Sequence, residues 1–311
     1  MENVQIQQLM NTAFKRKESY TSLSLLKQCP YRYYLHYIQK QHADTKSIAL
    51  EIGNLCHKIM ENKYLGLNID LQKELYSGYP DNEEIKGIDE IRKNYFDEWM
   101  IEGRKSGLSY EEKINTFKKK IDEPIDDKEW TTIGCEVPFE IEYGGITIVG
   151  KIDRIDKNKN GDYKVTDYKT SDAVYSERDL KTPLQMLIYA LAIKNMYGRY
   201  PIDFEYDFLL LGEKAKAMTD DKSIERGLKL LDKIIILRNK LYKDRTGELF
   251  EPKASPLCYW CDYCCNGDKK DDKVKCLCDY YSLWTPNNKT FSVNKKYEIG
   301  LKKNEEEEFI W

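Results

Sequence analysis

Two runs joined by a polar turn constrain this chain more than anything else in it. The first is Gly150-Lys151-Ile152-Asp153-Arg154-Ile155-Asp156 and the second is Lys164-Val165-Thr166-Asp167-Tyr168-Lys169-Thr170. Between them lies Lys157-Asn158-Lys159-Asn160-Gly161-Asp162, where Asn-Gly supplies the positive φ of a tight connection, so the runs read as adjacent antiparallel strands. Side chains on a strand repeat every two residues, which puts Asp167 and Lys169 on one face. Asp153 ends its own apolar stretch and can be brought beside them, and a carboxylate on a half-buried sheet is costly without a counter-charge. Two acids and a lysine gathered on one sheet face make a place for a divalent metal.

The chain has 311 residues, enough for one sizeable core or for one α/β domain with a helical insertion. It is 41% hydrophobic and 33% charged, and it has no apolar run of membrane-spanning length, so no membrane partner is expected. Its first residues, Met1-Glu2-Asn3-Val4, lack the basic-then-apolar order of a secretion signal. The expected location is the cytoplasm, that of a bacterial host if the heavy use of Lys, Asn, Ile and Tyr marks a phage genome. The net charge of −3 means that any phosphate-binding surface has to be local. Lys118 to Lys120 read as a solvated face. Lys151, Arg154, Lys157 and Lys159, and then Arg178 and Lys181, sit beside the acids in sequence, and Arg154, Arg178 and Lys181 are the candidates for contacting nucleic acid.

Along the chain, Ser22 to Ile38 reads as a helix interrupted at Cys29-Pro30. Ser47 to Leu65 is an amphipathic helix through Ile48, Ile52, Leu55 and Ile59, with Gly53, His57 and Glu61 on a separate stripe. A further helix from Asp81 to about Lys105, carrying Ile85, Ile88, Ile91, Tyr95, Trp99 and Met100, belongs to a helical insertion that covers the sheet and continues to about Lys120. Thr131 to Glu142 alternates, with Ile133, Cys135, Val137, Phe139 and Ile141 on one face and Glu136 on the other. Thr170 to Asp179 is a loop. A helix then starts at Thr182-Pro183, with Gln185 and Tyr189 sharing a face four residues apart. Pro201 to Leu211 is the last strand, and Ser223 to Tyr242 is a packing helix. The expected divisions are 1–46, an N-terminal helical segment; 47–130, the His57 helix and insertion; 131–249, the sheet core; 250–280, a cysteine-rich segment; and 281–311, a solvated tail.

Asp153 followed by Asp167-Tyr168-Lys169 resembles the core of the PD-(D/E)XK nucleases, and Gly-Lys-Ile-Asp-Arg-Ile followed by Asp-Tyr-Lys-Thr is similar to their RecB-like branch. Gly53-Asn-Leu-Cys-His57 resembles that branch's Gly-x-x-x-His helix, and Gln185-Met-Leu-Ile-Tyr189 its Gln-x-x-x-Tyr helix. The resemblance runs from about Tyr20 to Cys265. It implies an α/β, restriction-endonuclease-like fold, a central mixed sheet flanked by helices. It also implies a metal site for Mg²⁺ or Mn²⁺ made by His57, Asp153, Asp167 and the carbonyl of Tyr168. Lys169 would position the nucleophile or stabilise the charged phosphorus centre, Glu136 would orient a metal-bound water, and Gln185 and Tyr189 would place the nucleic-acid strand.

The nine cysteines of a chain kept in a reducing compartment point to metal binding rather than to disulfides. Six of them crowd the end: Cys258, Cys261, Cys264, Cys265, Cys276 and Cys278. Cys29-Pro-Tyr-Arg-Tyr and Cys258-Tyr-Trp-Cys261-Asp-Tyr-Cys264-Cys265 resemble the cluster segments of iron-sulfur RecB-like nucleases. That resemblance implies a 4Fe-4S cluster on Cys29, Cys258, Cys261 and Cys265, with Cys264 as the alternative to Cys265. A zinc ribbon of Cys258, Cys261, Cys276 and Cys278 is the competing use of the same residues. The activity expected is metal-dependent cleavage of DNA, as an exonuclease on single-stranded ends, in replication, recombination or repair, with a helicase or recombination protein as a possible partner. The alternative is a nuclease-fold protein that binds DNA or a helicase without cutting.

Overall fold

Alternating apolar residues and a glycine turn build the hairpin expected at the centre of the chain. In the computed structural model, which describes residues 10–41, 48–78, 85–94, 106–125, 127–181, 183–217, 219–244, 246–255, 257–258, 261, 263 and 277–278, strand β1 runs Trp130–Tyr143, β2 Ile146–Asn158 and β3 Tyr163–Lys169. The expected helix residues Tyr95, Trp99 and Met100, and Cys264, Cys265 and Cys276, lie outside the described residues. Gly161 takes φ +82° in the β2–β3 turn, as Asn-Gly requires. Strands β4 (Asp203–Phe208) and β5 (Glu213–Ala217) complete one sheet of order β1-β2-β3-β4-β5, antiparallel except for the parallel pair β3–β4. This is the expected mixed sheet flanked by helices.

The chain forms two compact units: Lys17–Tyr20 with Thr45–Ile236, and Met1–Arg16 with Thr21–Asp44 and Leu237–Trp311. The sheet belongs to the first. Its β2 and β3 are buried on both faces from Ile152 to Asp156 and from Tyr163 to Tyr168, as central strands must be.

In chain order the helices are α1 (Tyr20–Gln28), α2 (Pro30–Tyr33), α3 (Ile48–Tyr64), α4 (Leu71–Ser77), α5 (Tyr110–Asp122), α6 (Glu177–Lys181), α7 (Leu184–Tyr197) and α8 (Asp221–Lys243), with residues 88–94 also helical. The apolar stripe of α3, from Ile48 through Ile59 and Met60, forms one core cluster with Leu75 of α4, Ile88, Ile91, Ile114 and Phe117. Tyr168, Leu209 and Leu210 join the same cluster, so the helical insertion covers the sheet together with α3. The N-terminus of α5 is fixed by a capping box between Ser109 and Glu112.

Three expectations change. Ile133 is 43% exposed instead of core-facing, because the β1–β2 register shifts between Thr132 and Gly134 and a bulge turns it outward. Strand β4 is not the last: β5 pairs beyond it, a short charged edge with little β-propensity whose Lys214 and Lys216 each reach a β4 acid at 2.7 Å, Glu205 and Asp203. The loop after β3 ends sooner than expected, in the short helix α6.

In the second unit the helical run breaks at Cys29, which takes an extended φ of −155° because Pro30 excludes the helical region before it. Cys29 is then the N-cap of α2, and residues Tyr34–Ile38 continue as a π-helical turn. Tyr33 stacks on Phe250 at 6.2 Å, and its hydroxyl hydrogen-bonds that of Tyr242 at 2.9 Å, which ties the segment to the end of α8 within this unit.

Candidate active site

Register decides which acids meet. In the β1–β2 ladder Cys135 opposes Arg154 and Val137 opposes Ile152, so Glu136 and Asp153 stand across from each other on one face. Like charges directly opposed destabilise a sheet unless a cation lies between them. Glu136 also holds φ at +47°, a left-handed value that costs a non-glycine residue on the order of 1–3 kcal/mol. Strain just after a bulge re-aims a side chain. Here it brings the Glu136 carboxylate to His57.

His57 arrives from α3. Its Nε2 lies 3.1 Å from the carbonyl oxygen of Tyr168, which can only accept, so Nε2 carries a proton. Nδ1 is left turned to the acids, 3.5 Å from Asp153 Oδ2 and 3.7 Å from Glu136 Oε1. Ligand atoms of His57, Glu136 and Asp153 all lie within 4.8 Å of one another. Gly53, one turn earlier on α3, lets the helix approach the end of β3: a Cβ there would already stand 3.4 Å from the Thr170 hydroxyl. Asp153 Oδ2 accepts from the Tyr168 N–H at 2.7 Å.

The charge balance favours a bound cation. Burial and the neighbouring Asp167 push Asp153 up to about 7, against the pull of His57 and the Tyr168 N–H. Burial works against a charged His57, but the facing carboxylates of Glu136, Asp153 and Asp167 outweigh it and raise the imidazole above its ordinary value. Glu136 is held below the usual carboxylate range by the neighbouring His57, 3.7 Å away. A proton on the imidazole thus offsets the acid pair.

Asp167 stands beside this group with a different set of neighbours. Its Oδ1 accepts from Gln185 Nε2 at 2.7 Å and from the Tyr189 hydroxyl at 3.2 Å. Its Oδ2 has the Lys169 ammonium at 2.5 Å, yet it is buried without an aligned hydrogen-bond donor. That orphaned oxygen, the opposed acids and an imidazole nitrogen are a donor set suited to Mg²⁺ or Mn²⁺. Lys169 donates to Gln185 Oε1 at 2.9 Å and sits 5.6 Å over the Tyr206 ring. Asp167 more than offsets the burial of Lys169, so this lysine keeps its proton more firmly than an ordinary one.

Several expected roles shift. The close ligand group pairs His57 and Asp153 with Glu136 rather than with Asp167, and the Tyr168 carbonyl takes the His57 N–H. Gln185 and Tyr189 are turned inward onto Asp167 and each other instead of towards a strand of nucleic acid, since α7 is buried nearly all round. Arg154 is not a phosphate contact. It is 4% exposed, bonded to Asp156, the Tyr168 hydroxyl and Thr166, because one step along β2 from Asp153 points to the opposite face. The cation that faces solvent here is Lys151, two residues before Asp153 and 3.8 Å from Glu136. At Arg178 and Lys181 the structure describes the backbone alone.

In the second unit Cys29, Cys258, Cys261 and Cys278 line one pocket with Tyr31, Leu35 and Tyr263. The Cys29 sulfur accepts from the N–H groups of Arg32 and Lys253 at 3.5 Å each, and the Cys258 sulfur from that of Ser255 at 3.4 Å. Burial raises the Cys29 thiol, and these donors oppose it. Four sulfurs with backbone N–H donors suit an iron-sulfur cluster or zinc. Among the described residues the fourth sulfur on this pocket is Cys278, while the expected Cys265 and its alternative Cys264 lie outside them.

A search of curated proteins found no match. Among solved structures, a conjectured exonuclease from Eubacterium rectale is similar, with a TM-score of 0.42 at 13% sequence identity over 81% of this chain and 89% of that one. A likeness of that size carries no argument about substrate. A model of the PD-(D/E)XK nuclease superfamily matches residues 17–265, the span that contains the acids of β1, β2 and β3, the lysine after them and the helices that hold them. The chain belongs to the PD-(D/E)XK nuclease superfamily.

Proposed function

We propose that this nuclease is a Mg²⁺- or Mn²⁺-dependent deoxyribonuclease of the RecB-like branch, an exonuclease acting on single-stranded DNA ends. The observation that carries the metal-dependent chemistry is the convergence of His57, Glu136 and Asp153, with Asp167 and Lys169 beside them. Asp153, Glu136, His57 Nδ1 and Asp167 Oδ2 would hold the ion. A divalent ion so held supplies an acidified water and offsets phosphate charge. The chain's own residues do the rest. Tyr189 and Gln185 fix Asp167 and bring Lys169 to a set position, and Lys169 presents a firmly protonated ammonium to the phosphate as charge develops on it. Lys151 draws the backbone of the strand towards the acids.

The same reading gives the second unit a 4Fe-4S cluster on Cys29, Cys258, Cys261 and Cys278, supported by four sulfurs on one pocket and by N–H donors to two of them.

The test is nucleotide release from an end-labelled single strand with Mn²⁺, comparing the wild type with Asp167→Ala and Lys169→Ala. Both variants are expected to keep the fold and visible absorbance and to lose cleavage by about a hundredfold to a thousandfold, as removal of a central electrostatic group does. Cleavage retained in both, in a preparation free of contaminating nuclease, would refute the assignment. Binding of the strand by the wild type without any release would point to a scaffold instead.

A further inference from the structure

Three of the four cysteines on the second unit's pocket are fixed by their own stretch of chain. Cys29 caps α2, the Cys258 N–H donates to the Ser255 carbonyl at 2.9 Å, and the Cys261 N–H donates to the Cys258 carbonyl at 3.2 Å. Cys278 lies well beyond them in the sequence and is held by other segments. The residue before it, Leu277, has both backbone groups engaged. Its N–H donates to the Tyr263 carbonyl at 3.3 Å, and its carbonyl accepts from the Tyr31 hydroxyl at 3.1 Å. Tyr31 follows Cys29 at the start of α2, and Tyr263 follows Cys261 just as closely. Tyr263 is itself pinned. Its hydroxyl donates to the Gln41 carbonyl at 2.6 Å, so His36 Nδ1, at 2.9 Å, must be the N–H that donates to the Tyr263 oxygen. Tyr263 and Cys278 are buried in one apolar cluster with Leu35, and Tyr31, Cys258, Cys261 and Leu277 pack against it. In such surroundings an unmade hydrogen bond is costly, which keeps these pairings in place.

We propose that Tyr31 and Tyr263 are positioning residues for Cys278, a clamp that presents its sulfur as the fourth ligand of a metal group on this pocket. The inference rests on the metal reading of the pocket for its consequence, though not for the clamp itself. A ligand supplied by a distant segment lacks the local spacing that aims the thiols of Cys258 and Cys261, so bonds from neighbouring segments have to aim it. Each tyrosine also belongs to the segment of another sulfur, so protein bonds alone tie the three cysteine-bearing segments to one another. Bonds of this kind, one step behind the ligands, commonly contribute about tenfold to a hundredfold in metal affinity.

The probe is Co²⁺ added to the full chain stripped of metal and kept reduced, because thiolate-to-cobalt absorbance reports sulfur ligation directly. Tyr31→Phe removes the donor to Leu277 and keeps the ring, and Tyr263→Phe removes the bonds to His36 and Gln41. Each is expected to weaken Co²⁺ binding about tenfold to a hundredfold. Tyr34→Phe is the control: its ring stacks on Tyr31 at 6.4 Å, its hydroxyl accepts from Gln39 instead, and it should bind as the wild type does. In a Cys278→Ser background, itself weakened, Tyr31→Phe should cost nothing further, since the ligand it positions is gone. Wild-type affinity in both tyrosine variants overturns the proposal, as does wild-type affinity in Cys278→Ser. So does an equal loss from Tyr31→Phe in the two backgrounds, or an equal loss in Tyr34→Phe. One readout needs no metal. Iodoacetamide should label Cys278, identified by peptide mass, faster in Tyr31→Phe than in the wild type, and equal rates overturn the clamp. If the wild type bound no Co²⁺ yet the labelling responded, the metal reading would fail and the clamp would stand.

Discussion

Glu136 and Asp153 oppose each other across two strands, and His57 lies against both. The physical consequence is a proton count. His57 is raised above its ordinary value and Asp153 is pushed up to about 7, so both bind a proton more tightly in the folded chain than in the unfolded one. The folded state therefore holds the extra protons near neutrality. In a chelator the Asp153 share of that stability is full below the ordinary carboxylate range and is lost as the pH rises through about 7, and the His57 share is lost as the pH rises through the raised imidazole value. Melting midpoints measured across that window should fall with rising pH, more shallowly in Asp153→Asn, and a midpoint that climbs with pH would contradict the assignment. Saturating Mn²⁺ should reverse the trend, because its ligands must shed those protons. His57 and the two β-strand acids were readable in the sequence as candidates. Their grouping was not, since it needs the bulge at Ile133 and the left-handed Glu136 to aim one carboxylate.

At the scale of elements, the β1–β2 pair holds the site through one glycine. Gly150 opposes Phe139, and a Cβ on Gly150 would stand 2.6 Å from the end of the Phe139 ring. That ring in turn meets Tyr189 edge-on at 6.0 Å, and Tyr189 bonds Asp167. Gly150→Val should lower stability by about 1–3 kcal/mol, as overpacking does. It should also weaken cleavage in the fraction that remains folded, because the displaced ring pushes on Tyr189. Thermal melting and the specific activity of folded protein read the two effects separately, and a wild-type melting midpoint would show that the ring has room to move. The strands β1 to β4 and helices α3, α7 and α8 follow from alternation and helical spacing in the sequence. Strand β5 does not, because the alternation in Glu213-Lys-Ala-Lys-Ala rests on two small alanines of low β-propensity, and the segment is drawn into the sheet by β4 and its acids.

Over the whole molecule, the thiols that share a pocket come from opposite ends of the chain. Cys29 caps α2, and its sulfur accepts from the N–H of Lys253, 224 residues away. Closing so long a loop costs entropy in the unfolded chain, and a bound metal group returns it as stability of the unit that contains the pocket. Cys29→Ser and Cys278→Ser should each remove visible absorbance from protein purified without oxygen and lower the melting midpoint. Retained absorbance in Cys278→Ser would return the fourth position to Cys264 or Cys265, and zinc without colour in the wild type would replace the cluster.

Local chemistry alone determined the hairpin, the face shared by Asp167 and Lys169, the Gly53–His57 spacing and the helix break at Pro30, because each depends on dihedral preference and side-chain period over a few residues. The same period also told that Arg154 must face away from Asp153, a sign present in the sequence before any fold was known. Only the tertiary structure decided that Gln185 and Tyr189 serve Asp167, that Glu136 joins His57 and that Cys278 shares the Cys29 pocket. These are meetings between segments far apart in the chain, set by packing and register, which no local pattern encodes.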